Sequence, residues 1–249
     1  MAGDNPAAPG QPAVGVGPDR AAGPVLRLVL WRHGQTAWNA ERRFQGHSDI
    51  ALDETGREQA RHAARYLAAM HPDAIFSSDL IRAAETAGYL GELTGLPVQL
   101  DKDLRERGGG AWEGLTDREI RENYPEAYAE WIPPDGEPIS AVADRVSAAF
   151  ERVTESADGS LVVIVSHGAA IGLGIARLLG LPERNRVLGP LGNCSWSVLG
   201  QRWGSWRLLE HNVGRLPDLD PEPVPVLAAG PEEETGPAGS TGAPPGSGD

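Results

Sequence analysis

Cysteine and lysine are nearly absent from this sequence. Cys194 is the one cysteine among 249 residues, so no disulfide can close within the chain. That suits a reducing compartment. Lys102 is the one lysine, and every other basic side chain is an arginine. An excess of positive charge is also missing: the formal net charge is −13. A nucleic acid or an anionic membrane surface would call for a basic face, so neither is expected as a partner. Long apolar runs are lacking too. The nearest, "LVVIVSHGAAIGLGIARLLG", is interrupted by Ser166, His167 and Arg177, so no membrane span is expected. The opening "MAGDNPAAPGQPAVGVGPDR" has neither a charged n-region nor an apolar h-region, and no secretory signal is expected from it. A cytoplasmic location follows as the expectation.

The two ends are poor in large apolar residues. Residues 1–24 are small, Pro- and Gly-rich and aperiodic, while residues 215–249 are acidic and Pro-rich, then Gly/Ser-rich, with seven acids against one base. Neither segment can bury enough apolar surface to offset its ordering entropy, so both are expected to be disordered around one domain at 25–214.

Within that domain strand and helix patterns alternate. "LRLVLW" (26–31), "AIFSS" (74–78), "PVQLD" (97–101) and "LVVIVSHG" (161–168) read as strands. Helices are expected over 53–70, capped by Asp53, over 79–95, ended by Gly95, over 141–157 and over 169–180. "CSWSVLGQRWGSWRLLEH" (194–211) reads as a closing hairpin, and the edge near "CSWSVLG" is a candidate surface for a homodimer. The alternation predicts an α/β fold: a three-layer α/β/α sandwich with a mainly parallel central sheet.

In such sheets ligands bind beyond the carboxyl ends of the strands, where the winding reverses. The two most apolar strands both end in histidine followed by glycine, at His33 and His167. If both are central and parallel, the two rings share one crevice. Arg32 precedes His33, and Arg82 opens the helix after another strand end. Arginine offers a planar fork of donors that stays charged, which suits a phosphate dianion. Asn39 and Gln45, in the loop after His33, could complete a cradle. A neutral imidazole whose other nitrogen is held as a donor can attack phosphorus, which makes His33 the candidate nucleophile. Glu106 in "LRERGGGAWEG", close in sequence to Trp112, is the candidate acid, its carboxyl expected against an apolar wall. His167 is expected to lend positive charge to the transition state. Arginines crowding both histidines argue against a divalent cation. His47, His62, His71 and His211 have no strand-end placement and read as surface or packing residues. Trp131 is placed at the substrate mouth.

The order and spacing of "RHGQTAWN", "SSDLIRAAETA", "LRERGGGAWEG" and "VSHG" resemble the histidine phosphatase superfamily, with its phosphoglycerate-mutase-like fold, over about residues 26–211. The resemblance implies a phosphohistidine at His33, phosphoryl contacts from Arg32, Arg82, His167 and Asn39, Gln45 lining the pocket, and Glu106 as acid and then base. It implies no cofactor and a small phosphomonoester as substrate. Within the family the chain is most similar to bacterial phosphatases of the glucosyl-3-phosphoglycerate type. Two departures stand out. Gly108–Gly110 replaces the usual large apolar residue before the third block's glycine, which predicts a looser loop and a wider pocket wall. Pro138 stands where members often carry a serine after glycine and glutamate, so no role is carried over to Glu137. Hydrolysis is favoured over phosphoglycerate mutase activity because no basic insertion follows the third block. A phosphoprotein phosphatase or a non-catalytic phosphate-binding module is the remaining alternative, and the presence of both His33 and Glu106 speaks against the binder.

Overall fold

The computed structural model describes residues 26–156, 161–185 and 187–214. The two ends expected to be disordered, and the last residue of the helix expected over 141–157, lie outside them. Six strands form one sheet in the order β3-β2-β4-β1-β5-β6. They are β1 (Leu26–Arg32), β2 (Ala74–Ser77), β3 (Val98–Leu100), β4 (Leu161–Ser166), β5 (Trp196–Arg202) and β6 (Ser205–Val213). The first four are mutually parallel; β5 runs antiparallel to β1 and β6 to β5. The seven helices among the described residues are α1 (Ala37–Ala40), α2 (Glu54–Ala68), α3 (Ile81–Thr94), α4 (Asp117–Asn123), α5 (Pro125–Glu130), α6 (Ile139–Ser156) and α7 (Gly168–Leu178).

The apolar run of β4 is buried at all six positions, because it lies at the centre with a helix layer on each face. On one face Val29, Trp31, Ile75, Val163 and Val165 pack against Ala60, Ala64 and Leu67 of α2 and Ala83, Ala87 and Leu90 of α3. On the other face Leu28, Leu30, Val162 and Ile164 pack against Val142, Val146, Phe150 and Val153 of α6 and Ile171 and Ile175 of α7. The three expected layers are therefore present. One expectation needs correction. The "CSWSVLG" segment belongs to β5, which is paired on both sides, so the sheet's free edge beyond it is β6.

The winding brings the strand ends together. Arg32 sits opposite Ser166 in the β1–β4 register, so His33 and His167 follow neighbouring parallel strands. The chain leaving β1 covers one face and α7, leaving β4, covers the other, which opens the crevice between them. The loop after His33 lies directly on the start of α2. A Cβ at Gly34 would sit 2.4 Å from Gly56 O, and one at Gly56 would sit 2.0 Å from Gln35 O.

The close approach makes these glycines steric requirements. Gly56→Ala should lose about 1–3 kcal/mol in urea denaturation, the range for overpacking. Gly88→Ala is the control: it lies within α3 with nothing within 4 Å of its missing Cβ. There alanine should gain about 0.5–1 kcal/mol from helix propensity.

Candidate active site

His33 and His167 are 3% and 0% exposed, with ring centroids 5.1 Å apart. The backbone N–H of His33 donates to Ser166 O at 3.0 Å, which ties the end of β1 to the end of β4. His33 Nδ1 lies 2.7 Å from Gly34 O. A carbonyl only accepts, so Nδ1 carries the hydrogen and Nε2 keeps its lone pair. Burial, then the charges of Arg82 and Arg32, hold this imidazole well below the usual histidine range, against a smaller opposing effect of the Gly34 bond.

Arg82, in the first turn of α3, is fully buried. Its Nε donates to His167 Nδ1 at 3.2 Å, Nη1 to Ser48 O and Nη2 to Gly46 O, both at 2.8 Å. Burial pushes its pKa down to about 10, opposed by the charges of Glu106 and Asp49, so it stays protonated at neutral pH. Because Arg82 donates to Nδ1 of His167, that nitrogen holds a lone pair. The proton is then on Nε2, which donates to Ser78 Oγ at 2.8 Å. The expectation that His167 lends positive charge is therefore corrected: the ring is neutral, and burial followed by the Arg82 charge keeps it so.

The carbonyls that hold Arg82 are fixed by a residue that sequence reasoning passed over. Glu113 Oε1 accepts from the N–H groups of His47 and Gly109, and Oε2 from both the N–H and hydroxyl of Ser48. Burial alone would raise this carboxyl, but those donors outweigh it and hold it below the usual range. Thr86 Oγ1 donates to Arg82 O and accepts from Gly34 N–H, which joins α3 to the loop after His33.

Arg32 is half-buried at the end of β1 and donates from Nη1 to Leu191 O at 2.5 Å. Asn39 ends the short α1 capping box: its Oδ1 accepts from Thr36 N–H and from Asn193 Nδ2. Asn193 also donates to His33 O. It was missed because it lies 160 residues from His33 in sequence. Gln45 is 9% exposed, and its Oε1 is buried with no hydrogen-bond partner among the described residues.

Glu106 is half-buried, but the expected apolar wall is not what its carboxylate meets. Oε1 accepts from Arg107 and Ala170 N–H and Oε2 from Ala169 N–H, so it sits on the amino-terminal turn of α7, next to His167. Trp112 is fully buried and packs edge-on against Trp131 and Phe44 instead. The loop expected to be loose is tightly packed. A Cβ at Gly109 would lie 2.5 Å from the Phe44 ring, and Gly110, at φ +50°, faces Pro134 O at 2.2 Å in the same sense. The carbonyl of Trp131 accepts from Nη2 of buried Arg107, and its ring packs on Tyr128, at the outer side of that loop. Of the dismissed histidines, His47 bonds Glu106 O through Nε2 at 2.8 Å, whereas His211 packs between Ser197 Oγ and Gly189 O.

The arrangement joins two arginine cations to two neutral imidazoles, with no carboxylate within salt-bridge distance of Arg82 among the described residues. It suits a dianion, which would meet fixed positive charge and a bare nitrogen at the same place. Among those residues, no group of three His, Cys, Asp or Glu side chains is gathered to hold a metal ion.

Comparison with known proteins agrees with this chemistry. The profile of the histidine phosphatase superfamily (branch 1) matches residues 28–214. A glucosyl-3-phosphoglycerate phosphatase of Mycolicibacterium vanbaalenii is 45% identical over 189 residues, which is 70% of this chain and 84% of the relative. The solved structure of a mycobacterial glucosyl-3-phosphoglycerate phosphatase in complex with VO3 superposes with a TM-score of 0.70 at 42% identity, covering 75% of this chain and 98% of that one. A probable phosphoglycerate mutase of Enterobacter sp. is 36% identical over 210 residues, 82% of this chain and 98% of the relative.

The two buried neutral rings set a pH dependence of stability. Below about pH 6.5 the unfolded chain protonates both histidines while the folded chain does not, so stability falls as pH falls through that value. Urea denaturation at pH 7.5 and 5.5 should show the wild type losing roughly 2–3 kcal/mol more than the His33→Gln/His167→Gln double variant over that interval. An equal loss in both would mean that the rings are charged in the fold.

Proposed function

This chain belongs to the histidine phosphatase superfamily, and from that membership we propose that it hydrolyses a small phosphomonoester through a phosphohistidine on His33. The observation that carries the reading is the protonation pattern of His33: Nδ1–H is spent on Gly34 O, so the buried, neutral Nε2 is a ready nucleophile beside Arg82.

In the first step the Nε2 lone pair forms a bond to phosphorus as the P–O ester bond breaks. Glu106 in its carboxylic-acid form gives its proton to the leaving alkoxide. Arg82 and Arg32 balance charge on the equatorial oxygens, with Nδ2 of Asn39 as a neutral donor, while His167 holds Arg82 in place by accepting from its Nε. The orphaned Oε1 of Gln45 is an acceptor for a hydroxyl of the bound ester or a protonated phosphoryl oxygen. In the second step Glu106, now a carboxylate, takes a proton from water. The water oxygen bonds to phosphorus, the P–N bond breaks, and His33 and inorganic phosphate are released.

The substrate class follows from the relatives. A relative 45% identical in sequence and a solved structure at 42% identity are named glucosyl-3-phosphoglycerate phosphatases, so a phosphorylated glycerate or sugar is the proposed ester. The resemblance to a probable phosphoglycerate mutase keeps phosphoryl return to the product as a second reading. A mutase must hold a second phosphate, yet residues 114–138 carry seven acids against two arginines. That charge balance favours hydrolysis.

Phosphate release should be followed with EDTA present on glucosyl-3-phosphoglycerate, 3-phosphoglycerate, sugar phosphates, a phosphopeptide and p-nitrophenyl phosphate. The expected result is one small natural ester turned over far faster than the rest, with His33→Ala inactive yet folded and a phosphate adduct on His33 in quenched wild type. Formation of 2-phosphoglycerate from 3-phosphoglycerate without phosphate release would select the mutase. Turnover near wild-type in His33→Ala would overturn the mechanism.

A further inference from the structure

Glu106 is gripped at its backbone as well as at its carboxylate, and the grip comes from Arg145 together with Glu137, the residue to which no role was carried over. Arg145, on α6, donates from Nη1 to the carbonyls of Asp103 and Arg105 at 2.9 and 2.8 Å, and from Nη2 to Glu106 O at 2.8 Å. Its Nε and Nη2 meet the two carboxylate oxygens of Glu137 at 2.6 and 2.7 Å, with both side chains 20% exposed. A guanidinium has five N–H donors, and these five contacts use them all. None is left for a ligand, so Arg145 is not a substrate-binding cation. Glu137 closes the circle: its N–H donates to Gly108 O at 2.9 Å and its Oε2 accepts from Gly108 N–H at 3.2 Å. Burial alone would raise the Glu137 carboxyl, but the bonds and charge of Arg145 outweigh it and hold it below the usual range.

We propose that Glu137 and Arg145 are positioning residues that set the height of Glu106 against the amino terminus of α7 and so aim its proton at the leaving group. The proposal rests on the reading of Glu106 as the general acid. A shift of about 1 Å in such a group is enough to cost on the order of 100-fold. Lysine, with three donors on one point, cannot replace the fork.

The test compares kcat/KM for an alkyl ester, 3-phosphoglycerate, with that for p-nitrophenyl phosphate, whose leaving group needs no proton. kcat/KM reports steps up to leaving-group departure, so slow loss of the phosphohistidine does not enter. Glu106→Gln is measured first and should lower the alkyl value on the order of 100-fold or more, with the nitrophenyl value within about threefold. If it lowers both alike or neither, the acid assignment itself fails. Given the split in Glu106→Gln, Glu137→Gln and Arg145→Lys should reproduce it in weaker form, on the order of 10-fold or more on the alkyl ester alone. Equal losses on both esters, or none, would overturn the positioning role. Circular dichroism checks folding, and Glu137→Gln, which keeps shape and size, decides if Arg145→Lys does not fold.

Discussion

The buried guanidinium of Arg82 is the constraint around which the site is arranged. A cation with no exposed surface must replace its hydration with fixed acceptors, or the cost of burial unfolds the region around it. No carboxylate takes that place among the described residues; the acceptors are two carbonyls and one imidazole nitrogen. Each choice has a consequence. The carbonyls of Gly46 and Ser48 must be held in place, and Glu113 holds them through four donors from the loops on either side. The imidazole nitrogen must be unprotonated, which fixes the tautomer of His167. Burial, and then the charges of Arg82 and Arg32, keep the His33 ring neutral as well. A cation with no carboxylate in direct contact is costly to the fold, and it is also what a dianionic ligand requires.

How much of this could be read from the sequence follows from the range of the interactions. Continuous apolar runs marked β1 and β4 because a central parallel strand is buried on both faces, and the histidine after each run marked the crevice. Asp53 was readable as a cap because capping is local, and its side chain does accept from Gly56 N–H. The phosphate-facing candidates His33, His167, Arg32 and Arg82 all sit at strand ends or a helix start, positions that periodicity defines. Glu113, Glu137, Arg145 and Asn193 were not readable. Their partners lie 4 to 160 residues away, and an acid or arginine in a polar stretch looks like any solvated residue. The neutral tautomer of His167 was equally hidden, since it depends on which atom Arg82 points at and not on which residues are present.

The triple glycine shows how one residue type supports opposite expectations. Glycine permits mobility where the chain is free and close approach where it is not. Here Phe44 and Glu113 press on Gly109 and Pro134 on Gly110, where only a residue without a Cβ fits, while Gly108 meets Glu137 and His47 at ordinary contact distance. The place of the absent large apolar side chain is taken from outside by Phe44 and Trp112, which meet edge-on at a centroid distance of 6.0 Å. The wall is therefore supported by the same contacts that keep Glu113 in place, and the third block and the loop after His33 form one unit.

That unit explains why the residues of the candidate site can be so widely scattered along the chain. His33 and His167 are set by the β1–β4 register, where a slip of either strand by one residue would turn its side chains to the opposite face. The cation is set by α3, and Glu106 by the start of α7. These are four separate elements, each anchored in one of the two apolar layers or in the sheet between them. Of the polar ties between them, Thr86 to Gly34 and Arg82 to His167 are buried, where hydrogen bonds are strong and an unmade one is costly, and those from Ala169 and Ala170 to Glu106 lie nearer the surface. Moving any one element would break a tie to another. The apolar layers thus fix the elements, and the polar ties convert that fixity into a close alignment of two arginines and two imidazoles at one end of the sheet.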